Sequence, residues 1–368
     1  MHQTINKIGI LVHHKVVFEH ILKVLDLLEP EKVDLIIEDR EFSSYGNQLK
    51  LIAPEISKKY NCIPLSVALA ERNKWKVFIA FHPYVSDTLK ILGFFRIRFM
   101  YGMGEGSWIF GDMNNQFDFV LTHGKYASNV IVKKYGIKCK EMGYPRYSGI
   151  KTIYDSEKVN SVLGVSEEDI VIVWFPTIAP HHSIQKYLPI LSQYDERKFR
   201  IFVKPHPMTI TEENKIVDEF KNFGITVIED EIPIEFLYKR ANITVHDVGG
   251  TALSALFLGK KPVFLKSEPE VLDQIGLDSP EIFLMKYCAV LDHKNLIENL
   301  YELSKSNSKI SDIKFVELRD KFFSNFDDRD AFIAAKIIKS IYRSSFFWLY
   351  YNKLRYVKIL RKSMYRMM

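Results

Sequence analysis

Apolar residues fall along this 368-residue chain in two alternating rhythms. Unbroken apolar runs at 7–14 (KIGILVHH), 32–39, 75–83, 95–102 and 117–124 read as buried strands. Between them, stretches at 17–28, 49–60, 86–94 and 125–136 carry apolar residues three and four apart, the spacing of a helix with one buried face. The rhythm restarts near residue 170. Strands are expected at 169–177, 199–207, 225–230, 243–247 and 261–266, and helices at 211–224, 233–241 and 251–259. Such alternation predicts mostly parallel sheets with helices on both faces. The polar stretch 151–168 reads as a linker. The expected fold is α/β, with two Rossmann-like domains, 1–150 and 169–330, facing a cleft. Ligands are expected at the carboxyl ends of the strands. Residues 331–368 form a basic, aromatic tail expected to be helical.

Composition narrows the class. Apolar residues make up 47% and charged residues 26%, enough apolar content for real cores, so disorder is excluded. Cys62, Cys139 and Cys288 are far apart, with no CxxC pair and no zinc spacing, which fits a reducing compartment. The apolar run near the start is too short for a secretion signal, and no run reaches the roughly 18 residues a spanning helix needs. The net charge of +6 is a property of the tail. All 45 acidic residues lie in the first 330, against 42 basic ones, so the body is near neutral. That balance, with no recognised nucleic-acid module, argues against a nucleic-acid partner.

Candidate chemistry gathers at strand ends. In Val245-His246-Asp247-Val248-Gly249-Gly250-Thr251 a strand gives way to small residues and then a helix. Bare amides and the positive end of a helix favour phosphate, Gly249 and Gly250 allow close backbone approach, and Thr251 adds a hydroxyl. The plainer reading is a tight turn capped by Thr251. Lys204-Pro205-His206-Pro207 holds His206 between two prolines, rigidly, at a strand end, where it suits a phosphate contact or a proton donor. Thr177 ends another strand, followed by His181 and His182, which read as a solvated loop rather than a metal pair. Arg146, in Gly143-Tyr144-Pro145-Arg146, is a charge partner for phosphate or for an acidic residue. The glycine-rich turn Tyr101–Trp108 suits a substrate loop, and Glu105 is its only carboxylate. His13, His14 and His82 also end strands and read as satisfied cleft or core histidines, and His123, which follows a strand too, is given no role. Neither HExxH nor GxxxxGK[ST] nor GxSxG occurs.

The ordered succession HGKYASNVIVKKYG, MGYPR, FPT, KPHP, HDVGGTALSALFLGKKPVFL and FDDRDAFIAAKII resembles the CDP-glycerol glycerophosphotransferase-like family of teichoic-acid type. The resemblance spans about residues 100–340 and is densest over 171–265. It implies a GT-B fold with the nucleotide donor held mainly by the C-terminal half. On that resemblance His206, Asp247, Gly250 and Thr251 line the donor phosphates, with Thr177, Gly249 and Arg146 beside them, and Asp328 lies near the glycerol or ribitol end. Where the family carries His-Gly-Thr, this chain reads Tyr101-Gly102-Met103, so Tyr101 and Glu105 become the candidates for the base beside His206. Ile178 stands where the family has an Arg.

The resemblance therefore implies transfer of a polyol phosphate from a CDP-activated donor to a hydroxyl of a cell-envelope glycan or lipid-linked acceptor. Neither metal nor cofactor is implied. A GT-B glycosyltransferase and a nucleotide-sugar 2-epimerase are the alternatives. The tail 341–368, with seven basic residues and no acid among its aromatic rings, suits an anionic membrane surface. It would place a cytoplasmic enzyme at the inner face of the membrane.

Overall fold

The computed structural model describes residues 3–39, 54–82, 88–150, 154–212, 214–229, 232–305, 313–324 and 328–344. The chain divides into two compact units. The first comprises residues 1–101, 110–148 and 322–368, and the second 102–109 and 149–321.

The first unit is a seven-stranded parallel sheet. Its strands are β1 (Gln3–Val12), β2 (Val33–Ile37), β3 (Asn61–Pro64), β4 (Asn73–Ala80), β5 (Gly93–Phe99), β6 (Phe119–Thr122) and β7 (Lys138–Glu141). Their spatial order is β3-β2-β1-β4-β5-β6-β7, so the direction of winding reverses between β1 and β4. The central strands are buried on both faces, which is why they read as apolar runs and not as an alternation. Leu11, Ile36, Phe78 and Ala80 meet Leu65, Leu89 and Leu92 in one core.

The second unit repeats the plan with six parallel strands: β8 (Val171–Phe175), β9 (Arg200–Val203), β10 (Thr226–Val227), β11 (Ile243–His246), β12 (Pro262–Leu265) and β13 (Val290–Leu291). Their order is β10-β9-β8-β11-β12-β13, with the reversal between β8 and β11. Ile172, Trp174, Ile201, Val203, Ile243 and Val245 share one sheet face and pack on Tyr187, Leu188, Phe220 and Leu300. On the other face the rings of Phe175, Tyr238 and His246 stack, with 4.6 Å between the first two centroids and 5.4 Å from Phe175 to His246.

The structure differs from the sequence reading at several places. β3, β7 and β13 were not expected. β7 reads Lys-Cys-Lys-Glu at a sheet edge and has no apolar run to announce it. The unit boundary falls at 148/149. The supposed linker contains a helix, Ser156–Leu163, capped by Asp155 accepting from the Lys158 amide at 3.0 Å and closed by left-handed Gly164. Within the expected helix 49–60 the structure has Pro54–Lys59, while 49–53 lie outside the described residues. The glycine-rich segment 102–109 belongs to the second unit although the sequence around it belongs to the first. Residues 330–344 form a helix of the first unit. It buries Ala331, Ala334, Ala335, Ile338 and Ile341, and Tyr342 Oη donates to the Asn6 carbonyl at 2.7 Å. The start of the tail is therefore a packed helix, and 345–368 lie outside the described residues. Among the described residues no helix is long and apolar enough to cross a membrane.

Candidate functional site

In a doubly wound sheet, the loops leaving two neighbouring strands at the reversal point diverge to opposite faces and leave a crevice. In the second unit that point joins the ends of β8 and β11. Asp247, the residue after β11, is fully buried there. One carboxylate oxygen accepts from Ser183 Oγ at 2.6 Å and Trp174 Nε1 at 3.4 Å; the other accepts from the Ser183 and Thr177 amides at 3.1 and 3.3 Å. Burial raises its pKa while these donors oppose the rise. Its oxygens are thus occupied in tying the loop after β8 to the start of the loop after β11. Thr177 is buried beside Gly249, which has a φ of +112°, a backbone region that favours glycine.

Thr251 opens the helix Thr251–Phe257, and its Oγ1 lies 3.0 Å from His246 Nδ1. Burial holds the His246 pKa at about 3, so the ring is neutral. Its Nε2 is buried without a partner among the described residues. An unpaired buried N–H is the costlier arrangement, which assigns the proton to Nδ1. Nδ1–H then donates to Thr251 Oγ1, and the hydroxyl proton of Thr251 is left to serve another acceptor. His206 follows β9 and caps the helix Pro207–Glu212, its carbonyl accepting from the Thr209 amide at 2.9 Å. Its neighbour Lys204 is buried at the same strand end.

The segment 102–109 docks on this crevice. A Cβ on Gly104 would stand 2.2 Å from the Gly250 nitrogen, so only glycine allows the two backbones to meet. Glu105 adopts a φ of +58°, a strained conformation for a side-chain-bearing residue. Its amide donates to Glu281 Oε1 at 2.6 Å, and the Gly106 amide donates to Ser279 Oγ at 2.6 Å. Glu281 is fully buried, and desolvation pushes its pKa up to about 7. The Glu105 carboxylate lies 3.8 Å from His181 Nδ1, and His181 Nε2 lies 3.1 Å from Gln274 Oε1.

The reversal point of the first unit, between β1 and β4, is lined by histidines. The rings of His13 and His82 are 4.6 Å apart, and His82 is 4.5 Å from Tyr101. Tyr101 is 5.6 Å from His20. Arg146 donates to His20 Nε2 at 2.8 Å and lies 3.9 Å from Glu19. Farther along the strand ends His123 packs edge-on against Tyr144 at 4.4 Å, and both of its ring nitrogens are buried without a partner among the described residues. Burial, helped by neighbouring positive charge, keeps these imidazoles neutral: about 3 for His13 and His123, and well below the ordinary value for His20 and His82. Asp330 is fully buried and accepts from the Tyr144 amide at 2.6 Å, whereas Asp328 of the same FDDRD run is exposed in the first unit.

Thr177, Asp247, Gly249, Gly250, Thr251, His206 and Glu105 therefore belong to the second unit, and Tyr101, Arg146 and Asp328 to the first. The structure separates Tyr101 and Glu105, four residues apart, into different units. Ser183, Glu281, Ser279, His20 and Asp330 were missed by the sequence reading. Only Ser183, opening an apolar helix, and Asp330, within a quoted motif, left a signal. Among the described residues no cluster of His, Cys, Asp and Glu has the geometry to hold a metal ion.

A family model described as alpha-2,8-polysialyltransferase matches residues 157–261, all within the second unit. The wall teichoic acid polymerase TagF superposes with a TM-score of 0.61 at 11% identity, over 93% of this chain and 90% of that one. HepE from Anabaena, in complex with UDP and glucose, superposes with a TM-score of 0.55 at 10% identity, over 91% of this chain and 99% of that one. The chain has the GT-B fold. A TagF variant soaked with CDPG gives a TM-score of 0.61 at 11% identity, over 93% and 90% of the two chains. No curated protein matches the sequence.

Proposed function

We propose that this GT-B protein is a transferase that moves a group from a nucleotide-activated donor to a hydroxyl of a cell-envelope glycan or lipid-linked acceptor. The observation that carries the reading is the convergence at the β8/β11 reversal point. There the Thr177 and Gly249–Thr251 loops are locked together by Asp247. In this reading the donor phosphates take the amides of Gly250 and Thr251 and the hydroxyls of Thr177 and Thr251, the Gly249 amide being turned to the Glu281 carboxylate. His206 donates to the departing phosphate. Asp247 holds the loops and does not touch the anion, since a buried carboxylate already accepting four hydrogen bonds has nothing to offer a phosphate. Fixed donors aimed at the charge of a leaving phosphate are a main source of catalytic stabilisation.

The group transferred is a polyol phosphate in the first reading, supported by the likeness in fold to TagF. A sugar is the second, favoured by the polysialyltransferase model matching 157–261 and by Tyr101-Gly102-Met103 standing in place of His-Gly-Thr. A thermal-shift panel of CDP-glycerol, UDP-glucose, CMP-sialic acid, CDP and UDP tests the reading. A donor at about 100 times its Kd is expected to stabilise the chain by about 2.7 kcal/mol, a rise of several degrees. A panel in which no nucleotide shifts the transition overturns it.

A further inference from the structure

Against the glycine turn of the second unit lies the fully buried carboxyl group of Glu281. Its Oε1 accepts from the Glu105 amide at 2.6 Å, and the Gly249 amide is turned to the same group. Glu281 therefore joins the segment 102–109 to the turn whose next two amides, those of Gly250 and Thr251, serve the donor phosphates. Its Oε2 is buried without a partner among the described residues. The neighbouring charge that bears on it, the Glu105 carboxylate, has its own sign. A bare, ionised oxygen in the interior is costly, and a neutral acid is the cheaper form. Burial accordingly pushes the Glu281 pKa up to about 7, so its proton is exchanged in the neutral range.

The other groups around it do not supply a counter-charge. The helix Thr251–Phe257, packed on the helix of Glu281, carries no titratable side chain. The segment 102–109 brings only Glu105, whose carboxylate lies 3.8 Å from His181. Asp278 precedes the helix, Lys286 follows it exposed to solvent, and Lys321 of the helix Ile313–Phe322 sits 3.6 Å over the Phe283 ring. Asp247, at the other end of the turn, is engaged by Ser183, Thr177 and Trp174. A phosphate held by Gly250 and Thr251 brings negative charge within one and two residues of Gly249. In a site of low dielectric that charge disfavours an ionised Glu281. The coupling is reciprocal, so a proton on Glu281 favours the anion.

We propose that Glu281 is a positioning residue of the phosphate turn, holding Gly249 and the segment 102–109 as a neutral acid, and that an anionic nucleotide donor binds together with a proton on its carboxyl group. The proposal deepens the transferase reading and rests on it, since the anion is the donor's phosphate.

The test is calorimetric titration of the full chain with CDP-glycerol, UDP-glucose and CMP-sialic acid, whose esterified phosphates do not titrate in the neutral range. For whichever donor binds, Kd is expected to rise about tenfold in the wild type from pH 6.5 to 8.5, the factor that one pKa unit of coupling gives. In Glu281→Gln, which keeps an acceptor for the amides and cannot titrate, it is expected to change less than twofold and to match the wild type at pH 6.5. Because the variant can fail to fold, the wild type alone is also titrated at pH 7.5 in two buffers of different ionisation enthalpy. Uptake of about half a proton on binding is expected. His181 is the nearby alternative seat for that proton, so His181→Gln is expected to keep both the profile and the uptake. Donor binding with a level pH profile and no uptake overturns the proposal and leaves the transferase reading standing. A wild-type profile in Glu281→Gln, or loss of uptake in His181→Gln, also overturns it. Binding of none of the three donors removes both.

Discussion

Two buried carboxylates in the second unit do different work. Asp247 is surrounded by donors and fastens two loops, while Glu281 accepts the Glu105 amide and holds a strained residue in place. Burial pushes the Glu281 pKa up to about 7, above its ordinary 4.5, so the folded state favours the protonated acid. A raised folded pKa means stability that is complete below pH 4.5 and lost as pH rises through 7. The loss amounts to about 3 kcal/mol, at 1.36 kcal/mol per pKa unit. Glu281→Gln keeps an acceptor for the Glu105 amide and removes the titration. Melting temperature measured from pH 5 to 8.5 is expected to fall in the wild type and to stay flatter in the variant. Parallel curves would show that Glu281 is not protonated in the folded protein. None of this was legible in the sequence, because Glu281 sits in an ordinary Ser-Pro-Glu-Ile helix start and its burial comes from contacts 176 residues away.

At the scale of elements, the sequence announced what burial on both sheet faces dictates. The central strands of both units were readable as apolar runs, and the glycine turn after β11 and His206 after β9 lie at strand ends as expected. What was not readable was where a loop docks. The turn 102–109 leaves a strand of the first unit and packs on the second, a tertiary choice without local signature. Its glycines are not equivalent. A Cβ on Gly104 would meet the Gly249–Gly250 backbone at 2.2–2.7 Å, whereas one on Gly102 meets nothing within 4 Å. Gly104→Ala must therefore displace one of two backbones, at a cost of about 1–3 kcal/mol for overpacking. It is expected to weaken nucleotide binding at least tenfold in calorimetry, while Gly102→Ala leaves it unchanged. Equal affinity in the two variants would show that the contact of 104 with 249–250 does not shape the site.

For the molecule as a whole, the sequence carried the plan of two doubly wound sheets, and the structure adds that each reverses its winding at one strand pair. Each reversal point gathers chemistry of its own: Asp247-organised loops and glycine amides in the second unit, neutral histidines and Tyr101 in the first. Amide hydrogen exchange reads the first of these sites directly. Full-length protein with saturating CDP or UDP is compared with protein alone. Slowed exchange is expected at residues 177–178 and 248–252, with β2 and β3 unchanged. Protection that spares 248–252 and appears elsewhere, or no change anywhere, would contradict a nucleotide-phosphate site at the β8/β11 reversal point.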